Sequence, residues 1–317
     1  MYFSKWSETY DKKISLKDIN ENSLSDVEKN IYVTVIEQII NKYELIQQKF
    51  PKLSSYITGY NLAKTYDKND KTVNLSYLVS GFEGTLAFVT ELKLKLTKKP
   101  QYKALFAISY GSFNLALQAA RELLSFEPSA IEMIDNNIVE IAKGDEVYHK
   151  IKYMFDKNGS INLAAINFVE FIADTQHGLD NRTLHLEKQL LEKQAIFHLT
   201  ESQEDMDNLW ELRKKGVGLL GAMKGERKPI PFIEDTTVAP EILAEYIKEL
   251  TVLLDSYDIK YGMFGHVDVG CLHVRPALDI SSLEDSQEVK QITKKVSELV
   301  KKYGGLLCGE HGHGYRS

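Results

Sequence analysis

Two short stretches near the C-terminus hold side chains that can do chemistry at close spacing. The first is Gly265–His266–Val267–Asp268–Val269–Gly270–Cys271–Leu272–His273, and the second is Gly309–Glu310–His311–Gly312–His313–Gly314. The first reads as a strand end, a turn and a second strand, an arrangement that can bring two imidazoles to one point. In the second, glycines on both sides leave room for a ligand or a close backbone approach. Two neutral imidazoles and one carboxylate, here His266, His273 and Glu310, suit zinc or another borderline divalent ion. Three protein ligands leave a position for substrate, where the ion acts as a Lewis acid. The alternative is that His266 and His273 are hydrogen-bonded core residues and that Glu310 caps a turn.

A third signal lies upstream, in Ser80–Gly81–Phe82–Glu83–Gly84–Thr85–Leu86. Glycines there permit a tight turn whose N–H groups form a small anion-binding concavity, able to cradle part of a diphosphate cofactor. Any turn between strands could use two glycines in the same way. Gly216, Gly218 and Gly221 spell G-x-G-x-x-G but follow a helical stretch instead of a strand, so they read as a helix-ending loop. His149, His177, His185 and His198 have no partner at a metal-ligand spacing and read as surface or packed residues.

These residues need a scaffold. Ser25 and Glu28 have capping-box spacing and open a long helix along Val27, Ile31, Val35, Ile39, Tyr43 and Ile46, which Pro51 ends. Leu86 to Leu96 alternates like a strand, and Lys98–Lys99 followed by Pro100 marks a boundary. Beyond it, strands are expected at 104–110, 163–172, 195–199, near Phe232, 259–264 and 272–278. Helices are expected at 112–124, 181–193, 205–215, 240–255 and 283–303, the last closed by Gly304. Interspersed elements of this kind imply an α+β fold with ferredoxin-like halves, a mainly antiparallel sheet and helices on one face. The expected units are residues 1–97 and 98–317.

Composition bounds the partners. Acidic side chains number 45 against 39 basic ones, and the lysines are spread among acids, which argues against nucleic acid. Met1 to Leu16 has no long apolar run, so neither a secretion signal nor a transmembrane segment is read there, and a cytoplasmic location is expected. The two cysteines, Cys271 and Cys308, cannot hold a four-thiolate iron–sulfur cluster, which would have to lie on another segment.

In this order the three signals resemble the FAD-linked oxidases of the vanillyl-alcohol-oxidase type, in the branch of D-lactate, D-2-hydroxyglutarate and glycolate dehydrogenases. The likeness is closest to the large bacterial members that also carry an iron–sulfur domain. Gly81, Glu83, Gly84 and Thr85 match that family's flavin-side turn, and Gly59 and Asn61 resemble a second flavin-side segment. The resemblance implies FAD, a divalent metal at His266, His273 and Glu310, and His311 as the base that takes the hydroxyl proton of a small 2-hydroxy acid. Arg213 is the expected carboxylate partner, with Lys228 and Arg275 as further candidates. Cys271 stands where the family has Asn, and Asp268–Val269 where it has Gly-Asp, so substrate contacts made there are in question. The resemblance also implies that residues 1–97 are the C-terminal part of a FAD-binding domain and 98–317 a substrate (cap) domain, together an internal fragment of a longer chain. Two other readings stand beside it. One is a metal-dependent hydrolase without flavin; the other is a chain that is silent without its missing flavin-domain and iron–sulfur segments.

Overall fold

A computed structural model describes residues 14–15, 17, 19, 24–53, 56–94, 96–155, 162–221 and 226–312. Contacts divide the chain into two units, one of Met1–Thr97 with Cys308–Arg316 and one of Lys98–Leu307. The division places the described residues 308–312 with the first unit, whereas the expected unit 98–317 includes them.

The first unit opens with β1 (Ile14–Ser15) and α1 (Asp26–Asn41). α1 begins with a complete capping box: Ser25 N–H donates to Glu28 Oε2 at 2.7 Å and Glu28 N–H to Ser25 Oγ at 3.3 Å. The single long helix expected here is broken at Lys42, and α2 (Tyr43–Lys49) follows. The buried stripe is Tyr32, Ile36, Ile39 and Ile46, while Val27 is exposed, because the amphipathic Tyr32 takes a core position that a purely aliphatic pattern overlooks. Two short helices, α3 (Leu62–Thr65) and α4 (Ser76–Val79), flank β2 (Tyr66–Asp67) and β3 (Thr72–Val73), and β3 pairs with both β1 and β2. The alternating run Leu86 to Leu96 forms no strand among the described residues. Phe88 is 83% and Leu96 87% exposed: alternation prepares one face of a strand, but a strand exists only when its backbone pairs with another.

The second unit is built on one antiparallel sheet of seven strands. Its first half runs β4 (Tyr102–Tyr110), α5 (Phe113–Leu123), β5 (Ala130–Asp135), β6 (Ala165–Ala173), α8 (Gln176–Glu192) and β7 (Ile196–Thr200). Between β5 and β6 stand α6 (Asn136–Ala142) and α7 (Glu146–Ile151). The spatial order β7-β4-β6-β5 is the ferredoxin-like arrangement. The second half adds α9 (Gln203–Gly221), β8 (Lys228–Pro229), α10 (Leu243–Asp255), β9 (Tyr261–His266), β10 (Cys271–Leu278) and α11 (Leu283–Lys302). β9, β10 and β8 continue the sheet beyond β5.

Helices cover both faces, not one. α5, α8, α10 and α11 pack on the face bearing Phe106, Met133, Val169 and Val274. α6, α7 and α9 pack on the face bearing Ala107, Ile134, Phe168 and Phe264. The central strands are therefore buried on both sides, as the unbroken buried run Ala104–Ile108 shows, and such runs do not reveal which face a helix will cover. Two further corrections follow. Gly216 to Gly221 form the last turns of α9 rather than a loop, since a Cβ at Gly216 would lie 2.8 Å from Ile138 Cγ2: the small residue lets α9 close on α6. No strand forms around Phe232, because the ladder partners of β10 are taken by Lys228–Pro229 and by a bridge to Thr237, and the chain crosses between them in bends.

Candidate functional site

The alternation of β-strands assembles the site in the second unit. Facing pairs in register are Glu132 with His266, His266 with Cys271, and Phe264 with His273. Side chains two apart point the same way, so Glu132, Phe264, His266, Cys271, His273 and Arg275 share the α9-covered face. The His266 and His273 rings stand edge to face with centroids 5.6 Å apart. Arg275 shares the face of His273, and the two meet in the packing around Phe264. The Arg275 guanidinium lies 5.4 Å, the Arg213 guanidinium 4.7 Å and the His273 ring 5.3 Å from the Phe264 ring centre.

Hydrogen bonds decide the state of both imidazoles. Glu132 accepts from His266 Nδ1 through one oxygen and from Arg213 Nε, at 2.8 Å, through the other. Burial pushes the Glu132 carboxyl up, but the His266 hydrogen bond and the Arg213 guanidinium outweigh it and hold it below its usual value. An ionised carboxylate only accepts, so His266 carries its proton on Nδ1. His273 Nδ1 lies 3.1 Å from the carbonyl oxygen of Glu234, which also only accepts. In a neutral imidazole, a proton held on Nδ1 leaves the lone pair on Nε2, the tautomer that a metal-binding histidine shows when a carboxylate or carbonyl steadies its other nitrogen.

The Glu234–Asp235 pair was not singled out from the sequence. Glu234 Oε2 accepts from Arg275 Nε at 2.5 Å. Asp235, only 6% exposed, accepts from the Cys271 thiol at 3.6 Å, and it and His273 offer ligand atoms within 4.8 Å of each other. No motif spacing links residues 36 to 41 positions apart, and only the pairing of strands reveals them. Asp268, in the β9–β10 turn, has its carboxyl pushed up by burial and by the Glu132 charge. Lys228 is exposed on the edge strand β8 opposite Leu278, at the far end of β10 from His273.

The first unit gathers the other predicted residues. Glu83 and Gly84 are the two left-handed residues of a tight turn closed by Thr85 N–H donating to Phe82 O at 2.9 Å. That donor is engaged within the turn. Gly81 lies against Gly59 so closely that a Cβ on it would stand 2.2 Å from the Gly59 carbonyl oxygen. Tyr60 Oη reaches Thr85 Oγ1 at 2.8 Å, so the two flavin-side segments of the sequence reading meet. Asn61 Oδ1 caps α3, accepting from Lys64 N–H at 3.2 Å, which gives this residue a structural task as well. In the C-terminal segment, the Cys308 carbonyl accepts from Thr58 Oγ1 at 2.9 Å, and Gly312 leaves space beside Glu83 Oε1, 3.1 Å from where a Cβ would sit. Glu310 Oε1 and His311 Nε2 are 3.5 Å apart in a bend. His313 lies outside the described residues.

Residues 99–317 match the family of FAD linked oxidases, C-terminal domain, and the chain belongs to that family. Such membership implies FAD chemistry. The chain is 38% identical over 309 residues to a D-2-hydroxyglutarate dehydrogenase of Haemophilus influenzae, covering 95% of this chain and 30% of that one. It is 41% identical over 278 residues to one of Pseudomonas putida, covering 86% and 28%. The glycolate oxidase subunit GlcD of Bacillus subtilis is 26% identical, with 94% and 59% covered. The chain thus spans under a third of the length of these D-2-hydroxyglutarate dehydrogenases. A solved structure of alkyldihydroxyacetonephosphate synthase shares the fold at a TM-score of 0.51 and 17% identity, over 74% of this chain and 45% of the other. No helix among the described residues is long and apolar enough to cross a membrane.

Proposed function

We propose that this chain carries the substrate-side machinery of a FAD-dependent dehydrogenase that oxidises a D-2-hydroxy acid to the 2-oxo acid. The observation that carries this reading is the pair of imidazoles on one sheet face, each with its Nδ1 against an acceptor, the Glu132 carboxylate or the Glu234 carbonyl. His266, His273 and Glu310 are the residues to hold a divalent ion such as zinc, and their donor types fit it. Gly59, Asn61, Gly81, Glu83, Gly84 and Thr85 are the residues to lie against FAD, where close packing of Gly81 on Gly59 keeps side chains out of the way. When bound, the two groups supply a Lewis acid for the substrate oxygens and an acceptor for the C2 hydride.

The protein's own residues do the rest. Arg213, bonded through Nε to Glu132, presents its Nη edge as a fork for the substrate carboxylate. Arg275 flanks the same Phe264 ring and is the second candidate, with exposed Lys228 the third. His311 takes the hydroxyl proton as the general base. Residues 1–97 would belong to a FAD-binding domain, and the names of the relatives favour 2-hydroxyglutarate as the acid.

Elemental analysis of zinc-loaded protein tests the site. His266→Ala and His273→Ala should each lose metal while keeping the far-ultraviolet circular dichroism of the parent, because both residues sit on strands formed without them. Equal metal content in the parent and both variants would sink the assignment.

A further inference from the structure

Glu132 makes two contacts that a merely structural carboxylate has no reason to combine. It sits on β5, 7% exposed, opposite His266 in register and beside Ile134 on a face otherwise filled by Phe168 and Phe264. Burying a carboxylate there is costly, and an apolar residue would fill the space at least as well. One oxygen takes the Nδ1 proton of His266, and the other takes the Nε proton of Arg213, whose guanidinium is pressed on its other side against Phe264. Fixing Glu132 therefore fixes two groups that come from different elements, β9 and α9.

We propose that Glu132 is a positioning residue that couples the metal-binding imidazole of His266 to the carboxylate-binding guanidinium of Arg213. The inference rests on the reading of His266 as a metal ligand and of Arg213 as the carboxylate partner. Glutamine is the informative replacement. It has one acceptor oxygen and one NH2, so it must turn an N–H towards either the imidazole or the guanidinium, and one arm of the clamp fails. Loss of an outer partner of this kind lowers metal affinity by ~10- to 100-fold.

The measurement is zinc affinity of the full 317-residue chain by competition with a chromophoric chelator, with the imidazole tautomers read from 15N shifts in the zinc-free protein. Glu132→Gln should weaken zinc by about 10- to 100-fold, and the 15N shifts report which arm of the clamp has failed, His266 leaving the Nδ1–H tautomer when the amide N–H faces it. His266→Ala should weaken it further, and adding Glu132→Gln to His266→Ala should change nothing more. Arg213→Lys, which lacks the Nε–H, should weaken zinc several-fold in the parent and have no effect in the Glu132→Gln background, the non-additivity that marks coupled residues. Parent-like zinc affinity in Glu132→Gln, with a loss in His266→Ala, overturns the role of Glu132 alone. Unchanged affinity in Arg213→Lys overturns the coupling. Unchanged affinity in His266→Ala overturns the metal reading on which both depend. Should Glu132→Gln not fold, Glu132→Leu with Arg213→Leu removes both buried charges together and takes its place in the zinc measurement.

Discussion

The two units collect their candidate site residues by different physical means. On the seven-stranded sheet, positions of one parity on β5, β9 and β10 deliver Glu132, Phe264, His266, His273 and Arg275 to one face, and buried ion pairs lock them there. In the first unit no ladder does this work. Turns with left-handed residues, a glycine pressed on a neighbouring carbonyl and hydroxyl bridges such as Tyr60 to Thr85 bring the segments together. The sheet tolerates exchange of side chains but not of register. The turn cluster depends on the absence of a side chain at single positions, so its weak points are glycines.

The largest effect should come from the Glu310–His311 pair. His311→Asn, assayed in a FAD-loaded dehydrogenase containing this chain, should cut turnover by ~100- to 10,000-fold while metal content stays at the parent level, the loss expected for a positioned base. Glu310→Gln should instead lower metal content, with turnover partly restored by added zinc. Because Glu310 Oε1 and His311 Nε2 approach to 3.5 Å, some loss of metal in His311→Asn would show that the bend, unlike an extended strand, does not separate the two roles. Metal content of the two variants decides between these.

Next comes the contrast between two glycines. Gly81→Ala must move backbone, since its Cβ would lie 2.2 Å from Gly59 O, whereas Gly216→Ala meets the side-chain carbon Ile138 Cγ2 at 2.8 Å. Thermal denaturation should show Gly81→Ala costing more than Gly216→Ala, both within the ~1 to 3 kcal/mol usual for overpacking. Equal or reversed losses would break the claim that the first unit depends on its glycines.

The smallest effect is a pH slope confined to the sheet. Burial pushes the Asp135 carboxyl up to about 6, against the hydrogen bonds it accepts from Ile138 and Met263. The folded state then holds a proton that the unfolded state releases at a lower pH. This group's stabilisation is full below the ordinary carboxyl value and is lost as pH rises to about 6. Glu132 has the opposite sign, its carboxyl being held low, so its contribution is lost only as pH falls through the folded value. Asp135→Asn, which keeps an acceptor to cap α6, should flatten the fall in melting temperature between about pH 4 and pH 6. A slope identical to that of the parent would refute it.

Local chemistry made much of this readable from the chain. The Ser25–Glu28 capping box, the Ser112 cap of α5 and the turn between β9 and β10 depend on neighbours within a few residues. For the same reason His266 and His273 were legible as a pair: six residues separate them, and a hairpin register follows from the turn. The helix break at Lys42 and the lack of a strand among the described residues of 86–96 were not, since each depends on what lies opposite.

What the sequence by itself determined was therefore a scaffold of alternating strands and helices and a set of candidates to place on it: the imidazoles, the Glu310–His311 pair and the glycine turns. Tertiary structure alone decided who steadies them. Glu132 reaches His266 across 134 positions and Arg213 across 81, and Glu234 reaches His273 across 39. Contacts of that separation leave no periodic trace in the chain, because they are set by the order in which strands pair and by the helix that closes over them.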